Sequence, residues 1–204
     1  HQKYRDLFTK AYPGLEIKDI QPAHIMNALS RYEEIAFATR DTPWDNYLRG
    51  DINAISLDAK LGAKLFYSKA RCSSCHSGAL FSDFNFYSIG IPKFGPGFDG
   101  KGEDLGRYYV TQDEQDKNKF RTPPLRNVMF TAPYFHNGFA NNIEEVIQQH
   151  LNPYLYSKKY NDDGSFVITN DELQNISLIS SIKLVLTDKE IFHLKQFLIA
   201  LNDN

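Results

Sequence analysis

Apolar residues recur at helical spacing in four stretches of the chain and lose that spacing in between. In residues 19–39, Ile25, Leu29, Tyr32 and Ala36 fall at i, i+4, i+7 and i+11, which draws a stripe along one helix face. Ser56 precedes "LDAKLGAKLFYS", where Leu57, Leu61 and Leu65 stand four apart, and its hydroxyl can cap a second helix. Asn142 is placed to cap a third, "IEEVIQQHL". Towards the C-terminus "TDKE" is a capping box of Thr187 with Glu190, and Ile191, Leu194, Leu198 and Leu201 line the core face behind it.

Between residues 77 and 141 no helical period persists, and glycine, proline and asparagine are frequent. Irregular stretches of this length inside a compact domain are usually functional. Residues 160–172, "YNDDGSFVITNDE", read as a short hairpin or an exposed excursion. The expected fold class is all-α, mostly helical with long ordered loops.

Composition narrows the function. The 204 residues can bury a real core without disulfides. A net charge of -2 argues against nucleic-acid binding, which wants a concentrated basic face. No run of 18 apolar residues occurs, so no transmembrane helix is expected. The aromatic share of 14% suits packing around a large flat apolar ligand, although aromatic cores without ligands are common. The chain opens "HQKYRDLF", with neither initiator methionine nor signal peptide, and reads as cut from something longer.

Only two cysteines are present, in "RCSSCH", and His76 directly follows the second. Cys72 and Cys75 at this spacing can reach the two vinyl groups of one porphyrin while the next residue turns its imidazole to the iron, the pattern of c-type haem attachment. Three other readings compete. A thioredoxin-like redox pair wants a βαβ setting, absent here. A structural zinc wants a second ligand pair, and no other cysteine exists. A plain buried pair leaves His76 unexplained.

The sixth iron position has His24, His136, His150, His193, Met26 and Met129 as candidates. His150 shares a helix face with Ile143, Val146 and Ile147, so its imidazole is expected to face inward. An inward histidine is usually a satisfied core residue; beside a haem it becomes the preferred ligand. His136, in "APYFHNG", reads as a loop histidine, and His193 and Met129 read as structural.

Taken together, "FRTPPLRNVMFTAPYFHNGFANNIEEVIQQH", "DLGRYYVT", "TPWDNYLRGD", "LFYSKARCSSCHSG" and "LTDKEIFHLKQFLIAL" resemble, in order, the C-terminal haem domain of the bacterial di-haem cytochrome c peroxidases and their MauG-like relatives. The resemblance implies a helical segment over residues 1–50 packing on a cytochrome c-like haem domain over 51–204. It implies one haem c in this chain, relaying electrons from a small donor protein, a c-type cytochrome or cupredoxin, to a peroxide-reducing haem in an N-terminal domain. The active unit would be an exported, periplasmic oxidoreductase, and a homodimer is compatible with it. A calcium ion would take backbone carbonyls of Thr131 and Pro133. The family position matching His150 is Met in the peroxidases and Tyr in the MauG-like branch. His76/His150 ligation would therefore lower the haem potential and leave peroxide no open site.

Arg107, Arg121 and Arg126 are candidates to pair with haem propionates, since a guanidinium fork matches a carboxylate. "GPGFDG" fits a dinucleotide-binding pattern literally, but no strand precedes it and no helix follows, so its glycines are expected to form tight turns. Two further functions compete with the electron relay: a non-catalytic c-type electron carrier, and MauG-like oxidation of a partner protein.

Overall fold

Helix starts are set by side chains that accept the first free backbone N–H groups, and four such caps organise this chain. In the computed structural model, which describes residues 1–38, 41–93, 95–98, 100, 103–154, 173, 176–177 and 180–203, Ser56 accepts from the Ala59 N–H at 3.1 Å and Asn142 from the Glu145 N–H at 2.9 Å. Thr187 and Glu190 form the expected reciprocal box. Thr42 and Asp45 form another that the helical periods did not announce.

The chain divides into two units, His1–Arg40 and Asp41–Asn204. The first is a pair of helices, α1 (Gln2–Ala11) and α2 (Pro22–Ala36). The Tyr12 hydroxyl joins them, donating to the His24 carbonyl at 3.0 Å. His24 is occupied in the α2 cap, where its Nδ1 accepts from the Gln21 N–H. The apolar stripe of α2 is helical as read, but Ile25, Leu29 and Tyr32 are all exposed.

The second unit contains α3 (Pro43–Leu48), α4 (Leu57–Phe66), α5 (Tyr108–Thr111), α6 (Ile143–Leu151) and α7 (Asp188–Ile199). The strands β1 (Phe86–Tyr87) and β2 (Phe120–Arg121) pair antiparallel, Phe86 opposite Arg121. The core is the packing of α4 on α7, and its centre is aromatic. Phe197 is fully buried and meets Trp44, Phe66 and Phe81 edge-on, with ring centres 4.9, 5.0 and 6.0 Å away.

Of the leucine row of α4, only Leu65 packs against this core. Leu57 and Leu61 are exposed, and Ala59, Gly62, Ala63 and Phe66 face the core. A close approach of α7 selects small residues: a Cβ on Gly62 would lie 1.9 Å from the His193 carbonyl oxygen. On α7, Leu194 and Leu198 are buried as read, and so is Leu201 just beyond it. His193 is a buried structural residue whose Nδ1 lies 3.1 Å from an Asp58 carboxylate oxygen.

The glycines of "GPGFDG" turn the chain. Gly97 has φ +68°, and a Cβ there would meet the Glu103 backbone at 2.3 Å. Residues 160–172 lie outside the described residues. Among the described residues, no helix is long and apolar enough to cross a membrane.

Candidate functional site

Helix α4 ends at Phe66, and the chain turns tightly through Arg71, whose φ is +57°. A 3-10 turn over Cys72–Ser74 follows, and the His76 N–H donates to the Cys72 carbonyl at 2.9 Å. This local winding puts two thiols and one imidazole on a single turn. The return arm closes at once: Ser82 N–H reaches the Ser77 carbonyl and Asp83 N–H the Cys75 carbonyl, each at 2.8 Å.

Phe81 fixes the imidazole. Its ring is buried in the aromatic core while its backbone takes φ +55°, a left-handed conformation that costs a non-glycine residue about 1–2 kcal/mol. In that conformation its carbonyl lies 3.0 Å from His76 Nδ1. A carbonyl can only accept, so Nδ1 carries the proton and Nε2 presents its lone pair.

His150 repeats this arrangement from the other side. It occupies the last turn of α6, and its Nδ1 donates to the Val146 carbonyl at 2.7 Å, leaving Nε2 free. The two ring centres are 6.3 Å apart. One metal ion bound by two opposed imidazole nitrogens at about 2.0 Å each would hold the ring centres roughly 6 Å apart. The separation of the ring centres therefore fits a shared metal ion.

Electrostatics agree. Burial, helped by the neighbouring His150, pushes the His76 pKa down to about 4, so the ring is neutral at pH 7. Burial also lowers His150, yet by accessible surface the residue is exposed, where its helix period predicts an inward-facing imidazole. Burial pushes the Cys72 thiol up to about 12, and burial followed by the Asp83 charge raises Cys75. The thiols are not bonded to each other. A dithiol oxidoreductase needs a depressed thiolate pKa; here the shift is the opposite one.

The arginines divide. Arg126 is committed to protein partners: its fork grips Asp45 at 2.7 and 2.8 Å, and its Nε donates to the Ala79 carbonyl at 2.7 Å. In this structure the carboxylate in the Arg126 fork is that of Asp45, where a haem propionate was expected. Arg107 pairs with Asp116 and lies over the Phe86 ring. Arg121 is exposed on β2, its guanidinium 5.3 Å from the centre of the Phe84 ring.

Met129 packs against the core, and Met26 is exposed in the first unit. His136 lies flat on Phe120, ring centres 3.6 Å apart, and both line a cavity of about 340 Å³ with Phe98 and Asn137. Thr131 and Pro133 flank the cis Ala132–Pro133 bond after the turn Val128–Phe130. Among the described residues, no cluster of three His, Cys, Asp or Glu side chains offers an additional metal site.

Three contributors escaped the sequence reading: Asp45, Asp83 with Tyr87, and Gln149. The last is fully buried, and its Nε2 donates to the Ile89 and Gly90 carbonyls, fastening α6 against the loop before it. Its place three residues after Val146, one turn from the Ile143–Ile147 row, was the available signal.

Comparison with known proteins adds the decisive observation. A family model described as di-haem cytochrome c peroxidase matches residues 1–53. Cytochrome-c peroxidase IdrP1 of a Pseudomonas species (strain SCT) is 38% identical over 128 residues, covering 52% of this chain and 34% of that protein. Cytochrome c551 peroxidase of Pseudomonas aeruginosa is 34% identical over 166 residues, covering 81% of this chain and 47% of the other. The chain belongs with the di-haem cytochrome c peroxidases and MauG-like proteins. The crystal structure of a MauG-like protein associated with microbial copper homeostasis superposes with a TM-score of 0.69 at 25% identity, covering 98% of this chain and 66% of that one. The chain thus spans about a third to a half of the length of the curated peroxidases it matches. The fold is that of the MauG-like peroxidases, mostly helical with long loops as read from the sequence.

Proposed function

We propose that this chain is an electron-relay haem c domain of a di-haem cytochrome c peroxidase-like oxidoreductase. The observation that carries the reading is the pair of imidazoles, His76 and His150, with ring centres 6.3 Å apart and each Nδ1 tied to a backbone carbonyl. Cys72 and Cys75 would anchor the haem through thioethers, and His76 and His150 would ligate its iron through Nε2. Phe81 and Val146 hold both rings in the required tautomer, as outer partners of metal-bound histidines commonly do. Bound there, haem c would exchange single electrons at a potential below that of Met/His ligation, with no coordination position open to peroxide.

On this reading peroxide is reduced at a second haem not held by these residues, and a small donor protein supplies the electrons. The setting is periplasmic, since paired thiols are joined to haem outside the cytoplasm. Arg121, exposed beside the attachment loop, remains the arginine placed to meet a propionate. The calcium reading requires further ligands: Thr131 and Pro133 carbonyls supply two of the six to eight oxygens calcium takes.

The test is expression with haem-attachment machinery, followed by haem quantitation and ferric spectroscopy. One covalent haem per chain with a low-spin bis-imidazole spectrum is expected. Replacement His150→Ala should convert it to a five-coordinate, high-spin spectrum. An unchanged low-spin spectrum in that variant would remove His150 from the iron and the relay assignment with it.

A further inference from the structure

Beside the attachment turn lies a carboxylate that the haem reading leaves unused. Asp83 is pinned there by its own backbone, whose N–H donates to the Cys75 carbonyl at 2.8 Å. Neutral donors of Asn85, Tyr87 and Thr122 hold its side chain. The Asn85 N–H reaches Oδ1 at 3.0 Å, while the Asn85 amide and the Tyr87 hydroxyl reach Oδ2 at 3.1 and 2.8 Å. Burial works against the charge, but the hydrogen bonds from Tyr87 and Asn85 outweigh it and hold the carboxyl below its usual range.

No lysine or arginine among the described residues forms an ion pair with Asp83, and Arg121 on the adjoining strand lies over Phe84 instead. The site therefore keeps a full negative charge, stabilised by dipoles that do not cancel it. Its field reaches the turn that carries Cys75 and His76, because the Asp83 N–H is itself bonded to the Cys75 carbonyl.

We propose that Asp83 is a charge built in to lower the reduction potential of the haem held by Cys72, Cys75, His76 and His150, and that Tyr87 orients its carboxylate. Reduction adds one electron and removes one positive charge from the haem, with no bond made or broken. A fixed negative charge beside it favours the oxidised form, and charge, hydrogen bonding and burial are the levers a protein has on this quantity. Tyr87 and Asp83 are positioning residues, since they touch the attachment loop and not the reacting atoms. The inference rests on the haem reading above.

Spectroelectrochemical titration of the haem-loaded protein tests it, with the neutral replacements Asp83→Asn and Asp83→Ser and the charge-retaining Asp83→Glu. The neutral variants should keep one covalent haem and the low-spin spectrum. At the solution potential that half-reduces the unmodified protein, their ratio of reduced to oxidised haem should rise severalfold, a tenfold rise being 59 mV. Asp83→Glu should stay near the unmodified value. Neutral variants with unchanged potential would overturn the proposal. So would loss of haem from both of them, which would make Asp83 a residue for folding the turn. Lack of covalent haem in the unmodified protein, seen in the haem assay before any titration, would refute the haem reading itself and this inference with it.

Discussion

Replacing Gly62 by alanine should destabilise the haem domain, although alanine is the better helix former. The residue sits in the middle of α4 where α7 crosses it, and an added Cβ would lie 1.9 Å from the His193 carbonyl oxygen and 2.9 Å from Phe197 Cβ. Ordinary contact begins near 3.4 Å, so the helices would have to separate by roughly 1.5 Å at that point. The obstacle on α7 is backbone, which cannot rotate aside. Overpacking of this kind costs about 1–3 kcal/mol and more where backbone is involved, while the glycine-to-alanine change returns about 1 kcal/mol of helix propensity. With backbone as the obstacle the cost falls at the upper end, about 3 kcal/mol, and the net loss is about 2 kcal/mol. For a chain of this size each kcal/mol lowers Tm by about 2–4 °C, so a fall of about 4–8 °C is expected. Thermal denaturation of the purified haem-loaded protein, followed by circular dichroism, measures it. A Tm equal to or above that of the unmodified protein would show that α4 and α7 do not meet at Gly62, and the aromatic core drawn around Phe197 would have to be rebuilt.

Replacing Arg126 by methionine strips Asp45 of its largest stabilising partner and should cost about 2 kcal/mol at pH 7, less than the 3–5 kcal/mol of a fully buried pair because both side chains retain some solvent contact. The pH dependence has a definite sign. Asp45 titrates below its unfolded value, so the ionic contribution is complete above about pH 4 and disappears as pH falls through the folded pKa; in urea titrations the gap between the two proteins should narrow in acid to what the Ala79 hydrogen bond leaves, and a gap that does not narrow would refute the assignment. Ser56→Ala removes the α4 cap and should lower stability by about 1 kcal/mol. The haem spectrum should be unaffected, because the cap stands at the opposite end of α4 from the cysteines.

How much of this architecture can be read in advance depends on whether the deciding contact is local. Caps are local: Ser56, Asn142 and Thr187 each act on an N–H three residues on, and they were legible. The buried face of α4 was not. Three leucines four apart draw the eye to one side, yet the side that packs is chosen by how closely α7 approaches, and only Gly62 with the flanking alanines permits that approach. The partner of Arg126 was hidden for the same reason. Arg126 carries the fork that a propionate would want, but Asp45, 81 residues away in sequence, meets it first.

The two halves of the candidate site differ in the same way. Cys72, Cys75 and His76 are legible because one turn of chain sets their geometry, and the hydrogen bond that orients His150 is a helical i to i−4 contact, implicit once α6 is recognised. The partner of His76 is not implicit. It depends on a phenylalanine adopting a left-handed backbone, which nothing in the local sequence requests. That conformation is sustained because the Phe81 ring is locked between Phe66 and Phe197, so its strain of about 1–2 kcal/mol is offset by burial worth about 1.5–3 kcal/mol. The imidazole nearest the cysteines is thus aimed by the hydrophobic core itself. Substitutions at Phe66 or Phe197, which touch neither a thiol nor a histidine, should therefore be felt at His76 through the carbonyl of Phe81.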